Sequence, residues 1–284
     1  MTKVLEVENV SKKYQDFYLQ NVSFALEKGS ITGFIGENGA GKTTTLSAIM
    51  NLIKTDEGKI LVNGKPVKNT REMKRISYLE SNRDLYPEVL MKDYKFFVSK
   101  AYRKDWNEKK YRDYMKRFRM EDQKKIKELS TGMKAKFFLA VELAKQPDIL
   151  LLDEPTSGLD PIARNELLEI IKSLVKEEQM TILFSSHITS DIEHIADKVI
   201  FIHGGQILLN MNKEEIYERF KKVQIADYEK LSSQQKGAFG NSKIQNFDYY
   251  ILNMDIKEKT QKDHLENASL DDVLLYLTGG VRIA

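Results

Sequence analysis

The segment Gly36-Glu-Asn-Gly-Ala-Gly41-Lys42-Thr43 constrains this chain more than any other. It follows the apolar run Ile31–Ile35 and precedes Thr44–Leu52, which reads as helix, so the spacing G-x-x-x-x-G-K-[ST] falls between a strand and a helix. Glycines let the backbone curl until successive N–H groups face one anion, at a helix start carrying about half a positive charge. Lys42 adds a mobile cation for the outer phosphates of a nucleotide, and the Thr43 hydroxyl can ligate Mg²⁺. Gly36, Glu37, Asn38, Gly39, Ala40, Gly41, Lys42, Thr43 and Thr44 are therefore the candidate phosphate-binding residues. A glycine-rich turn with no ligand would need neither the lysine nor the strand–helix context.

A second run, Ile149-Leu-Leu-Leu152, is wholly apolar and ends in Asp153-Glu154. Such a run suits a central parallel strand covered on both faces, and open α/β sheets bind ligands at the carboxyl ends of their strands. Adjacent strand residues point opposite ways, so the two carboxylates are expected to do different work. Asp153 would orient a Mg²⁺ shell and Glu154 would polarise an attacking water. Taken alone, Asp-Glu after an apolar run is equally explained by a helix cap; downstream of a phosphate loop the catalytic reading is the sharper one.

Beyond these acids the periodicity predicts helix 162–176, strand 180–184, helix 188–196 and strand 198–202, the rhythm of βα units feeding a parallel sheet. Upstream, Val4-Leu5, Val22–Leu26 and Ile31–Ile35 read as strands with a turn at Lys28-Gly29, and 58–63 and 76–79 read as further strands. Apolar residues fall at helical spacing from Lys92 to Phe118, and another helix runs from near Ser130 to before Pro147.

The chain has 284 residues, enough for roughly two domains. Its 41% hydrophobic content supports a sizeable core and excludes a wholly disordered chain. A formal net charge of +3 is too near balance for a nucleic-acid binder acting by bulk electrostatics. The lack of cysteine excludes disulfides, thiolate catalysis and cysteine zinc sites. With no secretory pattern at the N-terminus and no apolar stretch of membrane-spanning length, the protein is expected to be soluble and cytoplasmic, reaching a membrane only through a partner. Lys92–Glu128 holds fourteen basic and seven acidic residues, which reads either as solvated helix faces or as a surface beneath anionic headgroups. His194, His203 and His264 show no metal-ligand spacing and read as solvated or structural.

With these motifs in order, residues 3–220 resemble the ATP-binding cassette of ABC transporters. Leu129-Ser130-Thr131-Gly132-Met133 looks like the family's signature peptide, Ser157-Gly-Leu-Asp160 matches its D-loop, and His187 lies where its switch histidine does. Tyr14 occupies the place of the aromatic that stacks on adenine. The resemblance implies an α/β fold of the P-loop NTPase class. It would comprise an N-terminal antiparallel β subdomain, a parallel-sheet core and a helical signature subdomain at about 88–145, leaving 221–284 as a small C-terminal α/β extension. It further implies ATP hydrolysis with Mg²⁺. Glu154 and His187 would be catalytic, Tyr14, Ser130, Gly132 and Asp160 would join the phosphate loop in holding nucleotide, and Thr43, Asp153 and Glu80 would face the metal.

The family also implies a head-to-tail dimer, homomeric or heteromeric, in which Ser130 and Gly132 of one subunit address the γ-phosphate held by the other. Hydrolysis removes that shared anion and opens the sandwich. Two departures stand out. Thr131 and Met133 replace the commoner second glycine and glutamine, while the phosphate-facing Ser130 and Gly132 are kept. Glu80, after strand Ile76–Leu79, stands where glutamine is usual; a carboxylate there can ligate Mg²⁺ more strongly but repels a γ-phosphate approached without metal.

The function so implied is that of the ATPase subunit of a transporter, peripheral on the inner face of the cell membrane, with an integral permease on a separate chain. The motif Glu80-Ser-Asn-Arg83-Asp-Leu-Tyr86-Pro87 and the peptide Thr131-Gly-Met-Lys134 look similar to the drug- and antimicrobial-peptide-exporter branch, which by analogy makes amphipathic peptides the cargo. A soluble cassette ATPase acting on ribosomes or nucleic acid is the alternative; a single cassette, a short insert and balanced charge count against it, and no nucleic-acid partner is expected. A small-molecule kinase would leave the signature peptide and D-loop without purpose. The polar tail, with Ser232–Gln235, a strand-like Phe247–Leu252 and a capping box Ser269–Asp272 before Val273–Leu277 and the stop Gly279, reads as a dimerisation or regulatory appendage, or as a packing extension.

Overall fold

The computed structural model describes residues 2–67, 70–80, 86–230, 243–246, 249–253 and 265–278. The first part of the chain forms β1 (Lys3–Lys13), β2 (Tyr18–Glu27), β3 (Ile31–Ile35), α1 (Lys42–Ile49), β4 (Glu57–Val62), β5 (Lys65–Pro66), α2 (Thr70–Met73) and β6 (Ile76–Glu80). Three helices follow, α3 (Met91–Tyr102), α4 (Glu108–Arg117) and α5 (Thr131–Ala144). The βα units expected next are β7 (Ile149–Asp153), α6 (Pro161–Glu178), β8 (Thr181–Ser186), α7 (Thr189–Ile195), β9 (Lys198–His203) and β10 (Gln206–Asn212). The C-terminal part holds α8 (Lys213–Arg219), β11 (Phe220–Gln224), α9 (Ile225–Lys230), β12 (Lys243–Asn246), β13 (Tyr249–Asn253), β14 (Glu266–Asn267) and α10 (Leu270–Leu277).

The central sheet has the order β10-β9-β3-β8-β7-β6, parallel throughout except for β10. Its strands are apolar on both faces because two cores need them. Ile35, Leu150, Leu152, Ile182, Phe184 and Phe201 enter one core with α5, α6 and α7. Their sequence neighbours Phe34, Leu151, Leu183, Ile200 and Ile202 enter the other, under α1 and the antiparallel sheet β2-β1-β4-β5. Alternation between two buried sides is what an unbroken apolar run encodes. A third sheet, β12-β13-β11-β14, is antiparallel and belongs to the C-terminal part. Phe220, Ile251, Leu270 and Val273 join it to the core under α7.

Several boundaries differ from the sequence reading. β1 is far longer than Val4-Leu5, because Asn9 at φ 51° and register shifts around it break the alternation that would have revealed the strand. The helical stretch after Lys92 is two helices: Arg103 takes φ 47°, a tight 3₁₀ turn follows, and α4 starts afresh where Asn107 Oδ1 accepts the Lys110 N–H at 2.9 Å. α1 stops at Ile49 instead of reaching Leu52, and Asn51 turns the chain at φ 52°. Residues 81–85, Ser232–Gln235, Phe247, Asp248, His264 and Gly279, used above, lie outside the described residues.

Candidate functional site

Strand order places the chemistry. β3 sits between β8 and β9, and the parallel strands β3, β6, β7 and β8 all end at the carboxyl edge of the sheet, where such sheets bind ligands. Gly36 leaves β3 where a Cβ would lie 2.5 Å from the Ile202 carbonyl oxygen, and Gly41 takes φ 112° directly before α1. Neither position accommodates a side chain, so the backbone itself lines the loop. Lys42, the first residue of α1, is buried, and its Nζ arcs back to donate to the carbonyls of Gly36 at 2.6 Å and Glu37 at 3.0 Å.

Asp153 ends β7 with only 3% of its surface exposed. Three hydroxyls from three elements donate to it: Thr43 at 2.8 Å and Tyr78 at 3.1 Å to Oδ2, and Ser185 at 2.5 Å to Oδ1. A buried carboxylate so surrounded is held in one orientation. Glu154 diverges from it, but not by simple strand alternation. It has left the strand with φ 50°, and its N–H is held by the Ser185 carbonyl and hydroxyl, both at 3.2 Å. Its carboxylate then spans two groups, with Oε1 3.2 Å from Lys42 Nζ and Oε2 2.7 Å from His187 Nδ1. Oε1 has a charge partner there but no aligned hydrogen-bond donor. An ionised carboxylate only accepts, so this contact puts the proton of a neutral His187 on Nδ1 and leaves Nε2 as an acceptor.

Tyr78, Ser185 and a further buried acid, Asp191, were not singled out from sequence. Asp191 on α7 accepts from Arg164 Nε at 2.6 Å and from Thr156 Oγ1 at 2.7 Å, tying α6 and the loop after Glu154 to α7. The one signal for Ser185 is the polar end, Ser185-Ser186, of an otherwise apolar strand. His203 stands 3.4 Å from Glu37 Oε1 in the phosphate loop, a contact the sequence reading did not anticipate.

The remaining candidates lie apart from this cluster. Ser130 precedes α5 and its hydroxyl accepts the Met133 N–H at 3.3 Å; Asp160 precedes α6 and accepts from Ile162 and Ala163 N–H, both at 3.0 Å. The two helix starts touch, since a Cβ on Gly132 would lie 3.0 Å from that of Ala163. Among the described residues no hydrogen bond or ion pair joins Ser130, Gly132 or Asp160 to the phosphate loop. Glu80 ends β6 in register with Asp153, its side chain exposed. Tyr14, in the β1–β2 turn, is exposed, with Lys12 Nζ 5.7 Å from its ring centroid.

A family model described as "ABC transporter" matches residues 19–157. The ABC transporter ATP-binding protein NatA of Bacillus subtilis (strain 168) is 38% identical over 227 residues, covering 76% of this chain and 92% of that one. The chain belongs to the ABC transporter family. The lantibiotic transport ATP-binding protein SrtF of Streptococcus pyogenes is 34% identical over 223 residues, covering 75% of this chain and 96% of SrtF. A solved structure described as the ATP binding subunit of an ABC transporter shares the fold, with a TM-score of 0.71 at 24% identity over 97% of this chain and 99% of that one. The cassette is thus an ATP-binding ABC subunit and an ATPase. Subunits of this kind work with membrane permease components, and no helix among the described residues is long and apolar enough to cross a membrane.

Proposed function

We propose that this cassette hydrolyses ATP as a head-to-tail dimer beneath a separate membrane permease, at the inner face of the cell membrane, and that it drives export of amphipathic peptides. The observation that carries the catalytic part is the Glu154 carboxylate held between Lys42 and His187, beside the Thr43–Asp153 pair. A triphosphate on the loop competes with Glu154 for Lys42, since its oxygens carry more charge and meet the helix start as well. Glu154, released from the lysine and oriented by His187, is then free to accept a proton from water, and His187 Nε2 faces the departing phosphate. Thr43 Oγ1 and the Asp153 carboxylate are oxygen donors that fit a hard cation keeping water and phosphate as its other ligands, with Glu80 on the next strand. Mg²⁺ held by these residues would neutralise charge on the phosphates.

The signature surface of Ser130 and Gly132, abutting the start of α6 behind Asp160, completes the site of the neighbouring subunit in this reading. Residues 1–220 form the cassette, with the helical subdomain at about 88–145, and 221–284 form the extension. The peptide cargo is supported by the similarity to SrtF, which is named as a lantibiotic transport protein. Glu154→Gln is the decisive test. It is expected to keep ATP affinity while turnover falls by about 10² or more, the contribution typical of a general base. Hydrolysis at the parental rate would remove Glu154 from the mechanism. Purification from membranes is expected to bring down an integral permease, and its absence would count against the transport assignment.

A further inference from the structure

The start of α7 has no side-chain cap of its own. Its first residue, Thr189, is buried, and the Thr189 hydroxyl donates to Asp271 Oδ1 at 2.7 Å. Asp271 is on α10, in the C-terminal part of the chain, and brings a negative charge to the end of α7 where helix N–H groups lack partners. The favour is returned: the Leu270 N–H, at the start of α10, donates to Glu193 Oε1 on α7 at 2.7 Å. A carboxylate from each helix thus meets the start of the other, on α7 through the Thr189 hydroxyl and on α10 through the Leu270 N–H.

α7 begins two residues after His187, and its other side holds Asp191, which receives Thr156, two residues after Glu154. The α10 contact therefore bears on the segment that sets the 2.7 Å approach of His187 to Glu154. The anchor is itself ordered: Asp272 accepts from the Ser269 N–H at 2.9 Å and from Tyr249 OH at 2.6 Å, binding the start of α10 to β13.

We propose that Asp271 is a positioning residue, and that the C-terminal extension clasps α7 so as to hold His187 against Glu154, governing turnover rather than nucleotide affinity. The proposal rests on the catalytic reading of His187 and Glu154 given above.

The test uses the full chain and reads both amide hydrogen exchange and ATPase kinetics. Asp271→Ala is expected to speed exchange over residues 188–192 by about tenfold and to lower kcat by about three- to tenfold with KM for ATP unchanged. Thr189→Val keeps the side-chain shape, removes the hydroxyl and should act alike. The double variant should fall no further than either single one, because both break the same bond. Asp271→Asn, whose amide oxygen still accepts from Thr189, should restore both readouts. Parental exchange in Asp271→Ala and Thr189→Val overturns the proposal, as does faster exchange with parental kcat, or a lower melting temperature with kcat intact. If Asp271→Ala does not fold, Thr189→Val decides alone. His187→Ala separates the two levels: parental turnover in that variant removes the reading of the switch histidine, while the exchange data still report whether the clasp exists.

Discussion

The two halves of the site are built on opposite principles. On the phosphate-loop side Lys42, Thr43, Asp153, Glu154 and His187 form one network of contacts within the same chain. Lys42 reaches carbonyls of its own loop and Glu154, Asp153 collects hydroxyls from α1, β6 and β8, and Glu154 meets His187 beyond β8. On the signature side, the Ser130 and Asp160 side chains bond, among the described residues, to backbone N–H groups of the helices they start. The first half is organised before any ligand arrives, as electrostatic catalysis requires. The second is a surface whose polar groups are satisfied locally, and in the proposed dimer a phosphate reaches it from the neighbouring subunit.

The largest expected effect comes from separating the halves on two chains. Lys42→Ala is expected to weaken ATP binding by about 10- to 100-fold, the value of a charge-assisted contact, and Ser130→Arg to abolish turnover while leaving the loop intact. Mixed together, the two variants pair an intact loop with an intact signature peptide, and ATPase activity should rise about tenfold above either alone. A mixture no more active than its components would break the comparison, since the signature side would then have no partner to complete.

Asp160 tests a smaller difference, between capping a helix and serving a site. As an N-cap its loss in Asp160→Ala costs about 1 kcal/mol, a fall of about 2–4 °C in melting temperature for a chain of this size. Asp160→Asn keeps an accepting oxygen and should recover that stability. If turnover recovers with it, Asp160 acts through α6; if turnover stays low while the melting temperature returns, its charge is used at the dimer seam.

What was legible in the sequence follows the same division. The loop at Gly36–Thr43 and the strand ending in Asp153 announced themselves because local physics fixes both: a curl needing glycine, and an apolar run needing two cores. The direction of Glu154 was not legible, because strand alternation gives way to a positive φ that only the Ser185 contacts explain. Tyr78 and Ser185 are ordinary strand residues until the order β8-β7-β6 brings them to Asp153, a long-range fact no spacing contains. The tail read as a polar appendage with one capping box. Its Ser269–Asp272 box was visible, but the docking of α10 on α7 depends on single atoms 82 and 77 residues apart in the chain.

The smallest effect concerns how the signature half is hung on the core. Near its end, α6 carries Glu178, which accepts from Tyr114 OH and pairs with Lys110 on α4, while Arg117 reaches Ser173 at 2.8 Å. Burial first, and then the bond to Glu178, push the Tyr114 phenol above its usual pKa. The raised value means that the folded protein favours the neutral phenol. Its contribution is complete below the unfolded value near 10 and declines above it, as the unfolded chain begins to ionise. Tyr114→Phe is therefore expected to cost about 1–2 kcal/mol at neutral pH, with the gap to the parent narrowing by about 1.4 kcal/mol by pH 11. Denaturant titrations of both proteins across that range provide the measurement. A gap that stays constant would show that the hydroxyl contributes only packing, and that the polar part of the α4–α6 contact beside the shared core comes from Lys110 and Arg117; high salt rather than high pH would then weaken that part.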